Sequence, residues 1–329
     1  MNGQKVKDAL ITFGIPILVL FAISILFGIE SWRSFYQVMS VTFIFFLPFI
    51  AGSLTVYLSR LEKVKSVAYR IFAPWVTVLV FFVITVALTF EGWACWLMVL
   101  PIFLIIASLG GLYCGYLKVR TAKRVGQLNI SILLLLPFLT SPIESMLKTI
   151  PVKYEVYTYI DINNSTADKI WNNVTKVKEI REQQDKGWLT RFLGFPRPIS
   201  AELNYDGVGA SREAIFSGGL TFHEKVLSYE DKKKMNFSIK AFPYEIPSTT
   251  MDEHVVIGGD YFDVLDGAYE LQKFNDTTYR LNLYSHFKLS TNFNFYASWW
   301  ASWIMKDIQN NILQVIKERA ELDRNGTVS

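Results

Sequence analysis

The first 147 residues are dominated by apolar runs long enough to cross a lipid bilayer. A spanning helix needs ~20 largely apolar residues. Five stretches meet that length, at roughly 9–29, 36–58, 72–90, 93–117 and 128–147. From 148 onward the texture turns mixed and polar, as in a globular domain. The expected organisation is a transmembrane helical bundle over 1–147, a folded domain over 148–322 and a disordered tail over 323–329. The first run lacks a small-residue cleavage site and reads as a retained anchor. The fifth, LNISILLLLPFLTSPIESML, is the least regular. It holds two prolines and Glu144 near its end, and a re-entrant or interfacial piece is the alternative to a full crossing.

Charge supplies an orientation. The first half carries 11 Lys+Arg against 5 Asp+Glu, and the second half 22 against 24. Ten of the 11 basic residues fall before the first run, between the second and third, or between the fourth and fifth. By the positive-inside rule these segments face the cytoplasm. Five crossings of a plasma (inner) membrane then leave the folded domain periplasmic or extracellular. If the fifth run does not cross, the domain is cytoplasmic. Glu144 is the sole charged residue within the runs, which favours an anchor or scaffold over a pump or transporter. Ala107, Gly111 and Gly115 repeat at four-residue spacing, the pattern of close helix packing within the bundle or in a homo-oligomer. The second half, close to neutral, has no basic stripe for nucleic acid. Both cysteines, Cys95 and Cys114, lie in one apolar run. A disulfide, a thiolate metal site and a cysteine nucleophile are therefore excluded from the second half.

Within that half, YEVYTYIDI (154–162) alternates as a strand, and ADKIWNNVTKV follows as a helix behind cap residues 163–166. A second helical stretch, about 176–193, ends at Gly194. Roughly six strands occupy 200–290, with Asp266-Gly267 reading as a hairpin turn. The last strand is the clearest. Tyr279, Leu281, Leu283, Phe287 and Leu289 share one face; Arg280, Asn282, Tyr284, His286 and Lys288 share the other. A helix over about 293–320 closes the domain. This order predicts an α+β architecture, a curved antiparallel sheet around a long C-terminal helix, with an apolar cavity between them.

The layout, with the opening text YIDINNSTADKIWNNV, resembles the START-like (SRPBCC, polyketide cyclase and lipid-transport) superfamily, whose domains have the helix-grip fold. The family's first helix bears a tryptophan, here Trp171, and a recurring F-x-E-x-V strand pattern is matched by Phe222, Glu224 and Val226. The resemblance covers about 152–320. It implies a cavity for an apolar or amphipathic small molecule.

No catalytic motif accompanies it. His223, His254 and His286 lie on separate expected strands without metal-ligand spacing. Neither a G-x-S-x-G elbow nor a phosphate-binding glycine loop is present, and Gly258-Gly259 opens no dinucleotide fingerprint. Asp260, Asp263 and Asp266 do not have the spacing of a calcium loop. No cofactor or metal is expected. The charged residues able to point into a cavity are Arg212, Glu224, Asp263 and His286. The candidate ligand-binding set is Trp188, Phe192, Tyr205, Arg212, Phe216, Phe237, Phe262, Tyr269, Tyr284 and His286, in which Arg212 or His286 would orient the polar head of an apolar ligand.

Three functions remain open. One is a membrane-anchored carrier or binder of a lipid, isoprenoid or polyketide-like compound. Another is a cyclase or dehydratase acting on such a ligand. The third is an assembly or sensor protein whose domain binds another protein. The closing helix bears on all three. At 100° per residue, Ala297, Ala301, Ile304, Met305, Ile308, Ile312, Val315 and Ile316 form a core-facing stripe. Tyr296, Trp299, Trp300 and Trp303 cluster nearly opposite, either resting on the bilayer surface or covered by segment 176–198.

Overall fold

The computed structural model describes residues 2–29, 40–88, 93–121, 131–147, 149–246 and 256–322. His254, the expected tail, Lys123 and Arg124, and the loop residues Glu30, Arg33 and Glu91 lie outside the described residues. The chain divides into two compact units, Met1–Thr149 and Ile150–Ser329.

Among the described residues of the first unit, four helices are long and apolar enough to cross a membrane. They are α1 (Gly3–Phe27), α2 (Val41–Leu58), α3 (Val67–Ala87) and α4 (Trp93–Thr121). The fifth expected span is corrected. It forms a shorter helix, α5 (Ser131–Met146, 16 residues), with Pro137 and Pro142 inside it. At 1.5 Å per residue it covers ~24 Å, short of a ~30 Å hydrocarbon core.

Two contacts mark the ends of α2. At its start, the Glu144 carboxylate accepts from the backbone N–H groups of Val41 (2.7 Å) and Thr42 (2.8 Å), and Ser40 Oγ accepts from Phe43 N–H. These are the donors that a helix N-terminus leaves unmet, at its positive pole. At its far end, Lys118 of α4 donates to the carbonyls of Val56, Tyr57 and Ser59. The small residues of α4 serve close approach within the chain. A Cβ on Gly52 would overlap the Ala107 carbonyl, one on Gly111 the Arg70 carbonyl, and one on Gly115 the Arg70 side chain.

The second unit is one antiparallel sheet closed over a helix. Its elements are β1 (Val152–Asn163), α6 (Ala167–Thr175), β2 (Lys176–Val177), α7 (Trp188–Leu193), β3 (Pro198–Leu203), β4 (Ser211–Phe216), β5 (Thr221–Glu230), β6 (Lys234–Lys240), β7 (Phe262–Lys273), β8 (Thr278–Leu289) and α8 (Asn294–Leu322). The eight strands among the described residues run in the order β1-β8-β7-β6-β5-β4-β3-β2. This half-barrel gripping a C-terminal helix is the expected helix-grip arrangement.

The core forms where the sheet's inner face meets α6 and α8. Ile162, Ile170, Trp171, Met235, Leu281, Leu313 and Ile316 are buried there together. Toward its N-terminus α8 lays Ala297, Ala301 and Met305 against Val156, Phe287 and Leu289. Polar residues lock the register: Thr158 Oγ1 donates to Gln309 Oε1 (2.9 Å), and Gln309 Nε2 donates to Ser285 Oγ (2.9 Å).

Two further expectations are corrected. Asp266-Gly267 is no turn but the middle of β7. A bulge between Val264 and Asp266 shifts the register there, and the Phe237 ring lies where a Cβ on Gly267 would be, 2.6 Å away. Nor is 176–193 one helix. β2 pairs with β3 at its start, and α7 is six residues long, ended by Gly194 in the left-handed region (φ 71°). The segment is held by tertiary bonds instead. Thr190 N–H and Oγ1 donate to Asp307, and Lys186 N–H donates to Asn311 Oδ1. Asp185, itself buried, accepts from Arg197, Gly187 N–H and Asn311 Nδ2.

Candidate functional site

Strand parity decides which side chains reach the inner face. In β4 the buried positions are Arg212, Ala214 and Phe216; in β5 they are Phe222, Glu224 and Val226. The F-x-E-x-V pattern thus turns all three of its marked residues inward. Arg212 and Glu224 are direct cross-strand partners, and both are over 90% buried. Arg212 Nε donates to the Glu224 carboxylate, and Nη1 donates to the Val174 carbonyl at the end of α6 (3.2 Å). The guanidinium also stacks against Phe237 (4.8 Å to the ring centre) and Tyr269 (5.8 Å). Phe237 and Tyr269 stack on each other at 5.9 Å. Burial pushes the Glu224 carboxyl and the Tyr269 phenol up, against the pull of the adjacent guanidinium. A charged pair with a phenol beside it is thus set into an aromatic wall on the inner face of the sheet.

Of the ten candidate ligand-binding residues, Arg212, Phe216, Phe237 and Tyr269 are buried on this face, and Phe262 packs at its margin against Phe287. The other five are elsewhere. Trp188 and Phe192 are exposed on α7, and Tyr205 is half exposed in the β3–β4 connection, its hydroxyl donating to the Val208 carbonyl. Tyr284 and His286 stand on the outer face of β8, as the alternation of that strand requires. There Tyr284 stacks on Tyr157 at 4.8 Å. His286 Nδ1 meets Asp266 at 2.5 Å, and Nε2 meets Glu155 at 3.2 Å. Asp266, and to a smaller degree Glu155, hold the imidazole above its ordinary pKa. Asp263 faces Lys288 across the sheet at 3.7 Å, and burial raises its carboxyl.

Glu224 completes the inner-face group. Its place was legible in the Phe-x-Glu-x-Val alternation, but its pairing with Arg212 depends on the register between β4 and β5. Trp171 is buried, with Nε1 donating to Tyr229 Oη at 2.9 Å. His223 pairs with Glu245 at 2.8 Å, near the surface. Among the described residues, no group of three His, Cys, Asp or Glu side chains could hold a metal. A separate cleft of about 510 Å³ lies between the β5–β6 turn and β7, lined by Glu230, Lys232, Lys233, Lys234, Glu270 and Lys273 among others. Its walls are too polar for an apolar ligand.

Of the four tryptophan-cluster residues on α8, Trp299 and Trp303 are exposed, while Tyr296 and Trp300 are partly covered. The α7 segment meets this cluster at one edge, where Trp188 packs edge-on to Trp303 at 6.0 Å.

No protein-family model matches the chain. The comparison with curated proteins gave no match either. Among solved structures, the chain is similar to truncated norcoclaurine synthase from Thalictrum flavum, at 11% identity and a TM-score of 0.32 over 54% of this chain and 97% of that one. It is also similar to the protein XoxI from Bacillus cereus, at 15% identity and a TM-score of 0.32 over 53% of this chain and 99% of that one. A third, TTHA0849 from Thermus thermophilus, shows 14% identity and a TM-score of 0.33 over 52% of this chain and the whole of that one. At such identities and scores these likenesses add nothing to the architecture described above.

Proposed function

We propose that the chain is a membrane-anchored binding protein whose helix-grip domain holds an apolar or amphipathic small molecule: a lipid, an isoprenoid or a polyketide-like compound. The observation that carries this reading is the Arg212–Glu224 pair inside the aromatic wall. A buried ion pair contributes little stability relative to well-packed apolar side chains of similar volume, so stability alone does not account for it. A polar anchor among apolar walls is what orients an amphipathic ligand. The test is native mass spectrometry with lipidomics on detergent-purified full-length protein, comparing wild type with the Arg212→Met, Glu224→Leu double variant. The expected result is a reproducible co-purifying compound in wild type that the variant loses. A wild-type protein that is reproducibly empty contradicts the reading.

The same trio supports a second reading, a cyclase- or dehydratase-type enzyme. A carboxyl raised by burial and a phenol, both within reach of one guanidinium, have the form of an acid–base set. Turnover of the co-purifying compound by wild type, abolished in Glu224→Gln, would separate enzyme from carrier.

For the membrane unit, the proposal is a cytoplasmic N-terminus, the side on which the basic segments cluster. Four crossings return the chain to its starting side, so the folded domain is then cytoplasmic. An inactive C-terminal alkaline phosphatase fusion is expected, and an active one counts against this orientation.

A further inference from the structure

Five large aromatic side chains stand exposed along one side of the second unit. On α8 these are Phe295 (69% exposed), Trp299 (76%) and Trp303 (49%), one row at four-residue spacing. On α7 they are Trp188 (60%) and Phe192 (57%), also four apart. The two helices are fixed side by side, because Asp307 of α8 accepts both donors of Thr190. That bond brings Trp188 onto Trp303 and makes the five one patch. Lys306 is exposed at its edge, while Arg191 turns its guanidinium to the Asp185 carbonyl (2.8 Å) and carboxylate (3.6 Å), and Asp307 accepts from Thr190. An aromatic patch of this kind on a folded domain marks an interaction surface.

Chain connectivity identifies the occupant. Val152, the first residue of β1, pairs with Leu289, the last residue of β8. From Leu289 the chain turns into α8, and Asn294 Nδ2 donates back to the Leu289 carbonyl (3.3 Å). The start of α8 and the start of the domain therefore lie at one end of the sheet. Between Met146 of α5 and Val152 lie residues 147–151, which reach no further than ~17 Å. The aromatic row starts at that tethered end and recedes along α8 by ~6 Å per turn. Within reach of the tether is the bilayer that holds α1–α4. Tryptophan with flanking Arg and Lys is the composition that settles at a lipid headgroup boundary.

We infer that the face formed by Phe295, Trp299, Trp303, Trp188 and Phe192 docks into the headgroup region of the membrane in which the chain's own spanning helices sit. Lys306 contacts lipid phosphates there. The α8–α7 side is the domain's lipid-facing side. This stands apart from what the inner face binds.

The test places a fluorescent bimane label at single cysteines in full-length protein lacking Cys95 and Cys114, in nanodiscs of phosphatidylcholine and phosphatidylglycerol. The labelled variants are Trp299→Cys and Phe192→Cys, with Tyr157→Cys on the outer sheet face as reference. Quenching by lipids brominated near the headgroup is expected to be at least threefold stronger at 299 and 192 than at 157, and to weaken when the bromines sit deeper. Aqueous iodide should quench in the reverse order. Iodide quenching at 299 and 192 equal to that at 157 overturns the inference, because the patch is then in water. Protection from both quenchers at both sites also overturns it, because protein then covers the patch.

Discussion

Replacing Glu224 alone with leucine should destabilise the domain far more than replacing the whole Arg212–Glu224 pair. The single change leaves a guanidinium over 90% buried with its counter-charge gone. Its remaining partners are the Val174 carbonyl and the faces of Phe237 and Tyr269. Breaking a buried pair from one side costs ~3–5 kcal/mol. For a domain of this size each kcal/mol moves Tm by ~2–4 °C, so the expected fall is ~6–20 °C. In the Arg212→Met, Glu224→Leu variant no charge is stranded. That variant forfeits the cation–π contact and the bond to Val174, about 1–2 kcal/mol, and regains both desolvation costs. Its Tm should lie within ~4 °C of wild type. The assay is thermal unfolding of full-length protein in one detergent, followed by near-ultraviolet circular dichroism. A Glu224→Leu shift below ~2 °C, or a double variant less stable than the single, would refute the reasoning that the pair is desolvated and mutually neutralising.

Three further outcomes are expected. His286 has a folded-state pKa above its ordinary 6.5, owing to Asp266 and then Glu155. Its contribution is therefore complete below about pH 6.5 and lost as pH rises through the folded value, so His286→Gln should lower Tm at pH 5.5 and leave it unchanged at pH 9. Equal losses at both pH values would contradict the ion-pair account. Glu144→Ala strips the acceptor from two N–H groups at the start of α2 and should cost about 2 kcal/mol, with Glu144→Gln between it and wild type in detergent thermal aggregation. No change in either variant would remove the clamp from the account. Gly267→Ala drives a methyl into the Phe237 ring and should destabilise the domain by ~1–3 kcal/mol in the same unfolding assay, with neutrality as the contrary result.

What the sequence revealed depended on whether a local period governs the structure. The four long helices were legible because length and apolarity are the whole requirement for crossing. The fifth run met the composition but, among the described residues, forms a helix of 16 residues that carries Pro137 and Pro142 inside it. Period two placed Tyr284 and His286 on the outer face of β8, and including them among inner-face residues went against that pattern. The bulge after Val264 reverses parity within β7 and turns the backbone that looked like an Asp-Gly turn into mid-strand. Segment 176–193 looked helical from its own residues, but its path is set by Asp307 and Asn311, over a hundred positions away. Arg212, Glu224, Phe237 and Tyr269 were each singled out. Their meeting follows from the register of β4 to β7, which no single strand contains.

The measurement closest to the central claim is a high-resolution density map of the full-length protein purified from its native membrane. Elongated density is expected against the inner face of the sheet, its polar end at Arg212 and Glu224 and its apolar body along Phe237 and Tyr269, with the α8 side chains that pack there, Leu313 and Ile316, displaced. A map in which Leu313 and Ile316 stay packed on the sheet, with no added density, would contradict ligand binding at this face.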